Sequence, residues 1–174
     1  MVKSGVQWGK MAPDPTLTMS TSSPEVAQKS LVFSGEFRLS LDPKKRLTIP
    51  ARWRSDALEE VFIIKSPARG CLVAMPQEFF EEMGEKAGSQ ATTVEDHQAF
   101  KDQFFASAVN SALDSQGRMV LSDDLCKFAG LEKEKEVVLA GSGAKFDIWT
   151  PEAWQQRQEA VKPTYTTILK SLGL

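Results

Sequence analysis

The most informative segment of the sequence is Leu39-Ser-Leu-Asp-Pro-Lys-Lys-Arg-Leu-Thr-Ile49. Its apolar residues alternate with polar ones on both sides of a five-residue turn, and this alternation predicts two half-buried strands. Asp42 can accept hydrogen bonds from backbone amides further along the turn, and Pro43 presets its own φ angle. We therefore expect a strand, a tight turn over residues 42–46 and a second strand.

The same pattern recurs 72 residues later as Ser111-Ala-Leu-Asp-Ser-Gln-Gly-Arg-Met-Val-Leu121, in which Asp114 and Arg118 match Asp42 and Arg46. After each copy come an apolar strand, a glycine-containing turn, a second strand and the start of a helix. A repeat array needs at least about three units to bury a core. Two copies instead predict one domain with pseudo-twofold symmetry.

The two turns differ at their fourth residue, which is Lys45 in the first turn and Gly117 in the second. Glycine permits a positive φ angle and a sharp turn. A residue with a side chain pays roughly 1 kcal/mol for the same left-handed conformation. We therefore expect the first turn to be looser, or of another type.

Charge is distributed unevenly along the chain of 174 residues, whose net charge is only −2. Residues 36–54 carry six cations and two anions, whereas residues 76–105 carry seven acids and two lysines. A cationic turn between two strands suits contact with DNA phosphates and insertion into a groove. The alternative is a solvated hairpin whose Asp–Arg pairs only shape the turn; an exposed pair contributes at most about 1 kcal/mol.

Few residues are suited to catalysis or to binding a metal. The only cysteines, Cys71 and Cys126, lie in apolar patterns and are predicted to be packing residues. The only histidine, His97, is predicted to lie at the surface, and Asp123-Asp124 to support a helix start. We therefore predict no catalytic residues, no metal site, no cofactor and no enzyme activity. No apolar stretch has the roughly 18 residues that a membrane span needs, so we expect a cytoplasmic protein.

The remaining segments are predicted as helices or as disordered chain. Residues 1–30 have the Ser/Thr/Pro-rich composition of a disordered tail. A short helix is expected over residues 50–58, a connecting helix over 94–109, and a helix over 153–161 followed by another turn or two over 166–172. Trp53, Trp149 and Trp154 are expected in the core or at a subunit interface.

Four stretches together closely resemble the MraZ family of bacterial transcriptional regulators. They are Val32-Phe-Ser-Gly-Glu36, the first motif through Arg54, the second motif, and Lys145-Phe-Asp-Ile-Trp149. The resemblance covers residues 31–160. It implies two AbrB-like swapped-hairpin units in one chain, assembled into rings of about eight or more subunits. It also implies binding to repeats upstream of the division and cell-wall gene cluster.

The resemblance therefore predicts an α+β fold, mainly β: a duplicated swapped-hairpin AbrB-like barrel with flanking helices. The expected parts are a disordered tail (1–30), a first unit (31–90), a helical connector (91–109), a second unit (110–162) and a C-terminal segment (163–174).

The expected partners are double-stranded promoter DNA and further copies of the chain, with the protein associated with the nucleoid. Arg46 and Arg118 are the implied DNA-facing residues, and Lys44 matches a common lysine of the first motif. Lys45 is expected to add a phosphate contact, while Asp42, Asp114 and Gly117 shape the turns. The alternative function is an antitoxin-type module that binds a protein through its aromatic helices and acidic connector.

Overall fold

A computed structural model describes residues 31–55, 58–90 and 93–174, so the predicted disordered tail lies outside the described residues. The strands are β1 (Glu36–Ser40), β2 (Arg46–Thr48), β3 (Glu60–Ser66), β4 (Cys71–Met75), β5 (Val109–Ala112), β6 (Arg118–Val120), β7 (Glu136–Gly141) and β8 (Phe146–Trp149). The helices are α1 (Gln77–Ser89), α2 (Val94–Ser107), α3 (Asp123–Phe128) and α4 (Pro151–Ser171).

Six strands form one antiparallel sheet in the order β1-β7-β8-β4-β3-β5. Its two edge strands are exchanged between the halves of the chain. β1 belongs to the first half but pairs with β7 of the second, and β5 belongs to the second half but pairs with β3 of the first. At the centre of the sheet, β4 pairs with β8. Each half therefore completes the sheet of the other.

The remaining strands, β2 and β6, pair with each other in a separate two-stranded sheet. They directly follow the two predicted turns, so the duplicated motifs meet at the pseudo-twofold axis. The prediction of a mixed fold made mainly of strands is confirmed. No closed barrel is found among the described residues, because β1 and β5 remain at the edges of the larger sheet.

The core has two parts, one on each face of the six-stranded sheet. Along β4, Leu72 and Ala74 point into one cluster and Val73 and Met75 into the other, as expected from the alternation of side chains in a strand. The first cluster lies under the two-stranded sheet. The second lies under α1, α2 and α4.

Aromatic side chains anchor both clusters. In the first, Trp53 is 1% exposed, packs between Phe33 and Phe146, and donates its indole N–H to the Ser34 carbonyl at 3.0 Å. In the second, Phe80 stacks on Phe104 at 4.8 Å. Of the tryptophans predicted in the core or at a subunit interface, Trp53 and Trp149 lie in the core. Trp154 is half-buried against Trp149.

The predicted helix over residues 50–58 is wrong in its length. A single 3-10 turn, Ala51–Trp53, follows Pro50, and the chain is extended again at Arg54. Residues 56–57 lie outside the described residues. The turn is short because Trp53 is drawn into the core, where it contacts Phe33 and Phe37.

The prediction of two separate helical segments, over residues 153–161 and 166–172, is also wrong. Both belong to α4, one helix that runs through Pro163. Proline removes one helical hydrogen bond and crowds the preceding turn. The carbonyl that loses its helical donor is that of Glu159, an exposed residue. The hydroxyls of Thr166 and Thr167 donate to the carbonyls of Lys162 and Pro163 at 2.9 and 3.0 Å, in the turn that follows. Of the described helices, none combines the length and apolar character needed to cross a membrane.

Pro163→Ala is expected to slow amide hydrogen exchange over residues 164–171. Alanine restores the missing N–H and is favoured over proline in a helix interior by about 3 kcal/mol. No residue of α4 is fully buried, so this gain acts on local opening of the helix. The amides of β4 provide the internal control and are expected to exchange as in the wild type. Unchanged exchange over 164–171 would contradict the strain assigned to Pro163.

Candidate nucleic-acid interface

The two motif turns have the same hydrogen-bonded geometry. In the first turn, Asp42 Oδ1 accepts from the backbone N–H of Arg46 at 2.8 Å, and Oδ2 accepts from Arg46 Nε at 2.6 Å. In the second turn, the Asp114 carboxylate accepts from the corresponding atoms of Arg118 at 2.9 and 2.7 Å. The backbone bonds that close the turns also match. Each aspartate therefore holds both the turn and the arginine that follows it.

The expectation that the first turn is looser, or of another type, is wrong. Lys45 has a φ angle of 57°, close to the 72° of Gly117, and is the one non-glycine residue with a positive φ in the described chain. The Lys45 N–H donates to the Asp42 carbonyl at 2.9 Å, and the Gly117 N–H donates to the Asp114 carbonyl at 2.8 Å. The carboxylate bonds of Asp42 stabilise a conformation that the side chain of Lys45 disfavours.

Both turn aspartates have a lowered pKa. The main cause is the hydrogen bond from the backbone N–H of the partner arginine, which outweighs the upward effect of desolvation; the arginine side chain lowers the pKa further. Because the folded-state pKa lies below the ordinary value of 3.8, the stabilisation is present above about that pH. It is lost as the pH falls through the folded-state value.

The variant Asp42→Asn/Asp114→Asn is therefore expected to be less stable than the wild type at pH 7 and to lose less stability below pH 3.8. Asparagine cannot bind the guanidinium as an anion, and it has no proton to gain in this window. Urea titrations at a series of pH values measure the difference. If both proteins lost stability in parallel as the pH fell, the lowered pKa values would not be supported.

The arginines of the two turns lie on one outer face. Leu47 pairs with Met119, and both side chains are buried under the two-stranded sheet. Alternation then places their neighbours on the opposite side of that sheet, facing solvent. We call this surface the arginine face; it consists of Arg46, Thr48, Arg118 and Val120.

Arg46 and Arg118 occupy opposite corners of the arginine face. Arg46 pairs with Val120, and Arg118 pairs with Thr48. The two arginines therefore lie on neighbouring strands and are offset by two residues along the strand direction. Standard sheet dimensions make that diagonal about 8 Å between Cα atoms. This distance equals about two nucleotide steps of 3.4 Å along a DNA strand.

Each arginine is fixed at one end and available at the other. Nε of Arg46 and Nε of Arg118 are bound by the aspartates, and their side chains are 33% and 30% exposed. The terminal Nη groups have no partner within the part of the chain that the structure describes. An arginine fork held in this way is oriented before it meets a ligand.

The flanking lysines differ from each other. Lys44 is exposed, and among the described residues its ammonium has no partner. Lys45 is half-buried, and its ammonium donates to the carbonyls of Leu131 and Glu132 at 3.3 and 2.6 Å. Both remain predicted contributors to DNA binding, but only Lys44 points freely to solvent here.

Arg54 is a member of the site that sequence reasoning did not single out. Its Nη1 donates to the Gln116 carbonyl at 3.0 Å, so a first-half cation lies on the second-half turn. The two residues are 62 positions apart, and no local pattern signals their contact. Arg54 gives the second turn a second cation beside Arg118, because this turn has no counterpart of Lys44 and Lys45.

Gly117 is favoured by its conformation, because its φ angle is +72°. A Cβ atom there would also lie only 2.6 Å from Arg54 Nη1, so the exposed Arg54 side chain would have to move aside. Gly117→Ala is expected to destabilise the fold by about 1 kcal/mol, mainly through the left-handed conformation. Adding Arg54→Ala removes the crowding, and Arg54→Ala alone is the control for the lost bond to the Gln116 carbonyl. Urea denaturation of these variants measures the two parts, and a Gly117→Ala protein as stable as the wild type would contradict this conformational cost.

The acidic segment lies on the other side of the molecule. α1 and α2 cover the face of the six-stranded sheet opposite the two-stranded sheet. Their acids are partly paired; Glu85, for example, accepts from Lys101 Nζ at 2.6 Å. The uneven charge of the sequence therefore becomes two surfaces of opposite sign.

The residues predicted to be chemically inert are placed as follows. Cys71 and Cys126 are buried, and burial raises the pKa of Cys71 to about 11 and also raises that of Cys126. Asp123 and Asp124 lie in the first turn of α3, which Ser122 caps. His97 is half-buried, not fully at the surface. Within residues 31–55, 58–90 and 93–174, no cluster of potential ligands could hold a metal ion.

These features define a duplicated, strand-rich protein with an aspartate-held arginine at each of two related turns. The model of a family described as "MraZ protein, putative antitoxin-like" matches residues 32–102 and, a second time, residues 104–166. These two matches cover more than half of the chain.

Three similar relatives are each named "Transcriptional regulator MraZ". The protein from Heliobacterium modesticaldum is 36% identical over 141 residues, covering 81% of this chain and 96% of the relative. Those from Carboxydothermus hydrogenoformans and Roseiflexus castenholzii are 35% and 36% identical, and cover 81% and 82% of this chain and 96% and 97% of the relatives. The chain belongs to the MraZ family, and since members are regulators, the prediction that it is not an enzyme is confirmed.

Proposed function

We propose that this protein is a sequence-specific, DNA-binding transcriptional regulator whose arginine face meets the DNA. The observation that carries the proposal is the placement of Arg46 and Arg118 by two turns of equal geometry on one solvent-facing sheet. The names of the relatives support the regulatory role. Under this proposal the protein acts in the cytoplasm, on the nucleoid.

The aspartates explain how such a face could read bases. Each Asp neutralises much of its arginine's charge, so the pair attracts phosphate less strongly than a free arginine does. The Nη groups remain available for the paired acceptors O6 and N7 of guanine, which arginine recognises in the major groove. We therefore assign base contacts to Arg46 and Arg118, and phosphate contact to the exposed Lys44. Lys45 and Arg54 add positive charge next to the first and the second turn, with their side chains bound to backbone carbonyls.

The exchanged strands support the proposal of two swapped-hairpin units, residues 31–90 and 110–162, joined by the helical connector. We further propose that copies of the chain assemble into a ring of about eight or more subunits. Such a ring would present many arginine faces to tandem repeats upstream of the division and cell-wall gene cluster. Weak single contacts then gain by avidity when repeats and subunits have matching spacing.

Two measurements on the full chain test this proposal. A labelled duplex of tandem repeats from upstream of that gene cluster is titrated at several salt concentrations, with a shuffled duplex of equal length and composition as the control. Preferential binding to the repeats that weakens with salt is expected, because neutralised phosphates release counterions. Equal affinity for both duplexes would contradict sequence-specific recognition.

Mass photometry of the free protein tests the ring, and a monomer as the sole species would contradict it. Purification with a protein partner at equal stoichiometry, without salt-dependent DNA binding, would instead favour the antitoxin-type module.

A further inference from the structure

Each motif turn packs against one side chain from the other half, and the sizes of the turn residue and of this neighbour differ in opposite ways between the two turns. The internal repeat, with its offset of 72 residues, makes Lys45 equivalent to Gly117 and makes Arg54 equivalent to Cys126. The second turn thus combines its small Gly117 with a large neighbour from the first half, and the first turn combines its large Lys45 with a small neighbour from the second half. The backbone around them corresponds closely: Ile49 N–H donates to the Gly117 carbonyl, and Leu121 N–H to the Lys45 carbonyl, both at 2.9 Å.

Behind the second turn, Arg54 fills the available space. Three atoms of its side chain lie within 2.9 Å of the position that a Cβ of residue 117 would take. From there Arg54 Nη1 donates to the Gln116 carbonyl at 3.0 Å. The second turn is therefore held by a side chain that reaches to it from the segment after β2.

Behind the first turn, the equivalent neighbour is the buried Cys126 of α3, whose small side chain takes little space. Here the connecting side chain comes from the turn itself. Lys45 reaches from the turn to the chain just after α3, where its ammonium donates to Leu131 O and Glu132 O. Leu131 is itself tied to α3 by a bond from its N–H to the Cys126 carbonyl at 2.8 Å.

We propose that Lys45 and Arg54 are equivalent positioning residues, each of which fastens one DNA-facing turn to the segment that follows the motif strand of the other half. Lys45 then acts on DNA through the placement of Arg46, while its neighbour Lys44 contacts phosphate. This inference rests on the proposed DNA-binding function. It assigns different roles to two adjacent lysines that the sequence alone does not distinguish.

Lys45→Met and the matched control Lys44→Met separate these roles. Both remove one ammonium and keep most of the stem. For each full-length variant, the affinity for the tandem-repeat duplex is titrated over a range of salt concentrations, under conditions where circular dichroism shows it folded. Lys45→Met is expected to bind on the order of tenfold more weakly, because it loses the hydrogen bonds to the Leu131 and Glu132 carbonyls, and to keep the wild-type salt slope.

Lys44→Met is expected to lower the magnitude of the logarithmic salt slope by about 0.9 for each engaged subunit, the value for one lost phosphate contact. Two results would overturn the inference. If the salt slope of Lys45→Met falls as that of Lys44→Met does, Lys45 is a phosphate ligand. If folded Lys45→Met binds with unchanged affinity, Lys45 has a purely structural role. If the wild-type protein shows no salt-dependent binding, the proposed function fails, and this inference fails with it. If the wild type binds and only the Lys45 result differs, the inference alone fails.

Arg54→Met gives a second test, on the other turn. It removes the guanidinium that donates to the Gln116 carbonyl, and it is expected to weaken binding as Lys45→Met does, because Arg118 is then less firmly placed. A folded Arg54→Met protein that binds the repeats as tightly as the wild type would contradict the equivalence of the two residues.

Discussion

Arg46→Ala is expected to weaken binding to the tandem-repeat duplex by roughly tenfold or more, because one bidentate arginine–base pair contributes about 1–3 kcal/mol of discrimination. The change removes the available Nη groups and leaves the Asp42 carboxylate facing the DNA without its partner. Fluorescence anisotropy on the specific and shuffled duplexes measures both affinity and preference. The preference for the repeats is expected to fall together with the affinity.

Arg38→Ala is the matched control, since it removes the same charge from β1, outside the arginine face, where Arg38 forms an exposed ion pair with Glu136 of β7. We expect it to change affinity by less than about threefold at moderate salt. Arg46→Lys is expected to recover only part of the loss, because an ammonium cannot bind Asp42 and present a planar fork at once. An Arg38→Ala loss as large as that of Arg46→Ala would indicate general charge attraction, with no special role for the turn.

Arg69→Met is expected to lower the free energy of unfolding by about 3 kcal/mol or more, because it leaves a buried carboxylate without its partner. Asp147, on central strand β8, is 5% exposed and accepts from Arg69 Nη1 and Nη2 at 2.6 and 2.9 Å. The hydrogen bond to Asp147 raises the pKa of Arg69 in spite of desolvation. Arg69 lies in the turn between β3 and β4, so this ion pair joins the two halves. Urea denaturation measures the loss.

Two further variants test the cause of that loss. Arg69→Met/Asp147→Leu removes both charges and is expected to recover most of the stability, since replacing a whole buried pair by apolar residues is often neutral. Arg38→Met breaks an exposed pair and is expected to change the free energy of unfolding by less than about 1 kcal/mol. Equal effects of Arg38→Met and Arg69→Met would contradict the importance assigned to the buried pair.

The local elements of this fold could be predicted from the sequence. Alternation around Leu47 and around Met119 indicated the motif strands, and the glycines near residues 70 and 143 marked the turns between later strands. The residues Thr150, Pro151 and Glu152 are typical of a helix start, and the Thr150 hydroxyl accepts from the Ala153 N–H at 3.1 Å. These signals involve residues only a few positions apart, where backbone preferences and side-chain capping act directly.

Strand partners could not be predicted in the same way. The pairing of Leu39 with Val137 joins residues far apart in the chain, and the alternation of β1 is equally compatible with other neighbours. The duplication predicted a pseudo-twofold domain, but it did not show that both edge strands are exchanged. It also did not show that the larger sheet stays open.

The same distinction between local and long-range contacts applies to the candidate site. The aspartate–arginine turns are local, and their residues were found from spacing alone. The roles of Lys45 and Arg54 depend on what lies behind each turn, at Leu131 and at Gln116, and such contacts leave no pattern along the chain. Lys45 adopts a left-handed conformation that its side chain disfavours, because the hydrogen bonds accepted by Asp42 stabilise the turn by more than that conformation costs.

Site-specific photo-crosslinking tests the central claim, that the arginine face meets DNA, most directly. Two exposed valines are replaced, one at a time, by a photoreactive amino acid. Val120 is 49% exposed on the arginine face, and Val94 is 87% exposed at the start of α2, on the acidic side.

With the tandem-repeat duplex bound and irradiated, a covalent protein–DNA product is expected from position 120 and not from position 94. The more exposed residue is thereby predicted to be the unreactive one. Crosslinking from position 94 with none from position 120 would contradict the account.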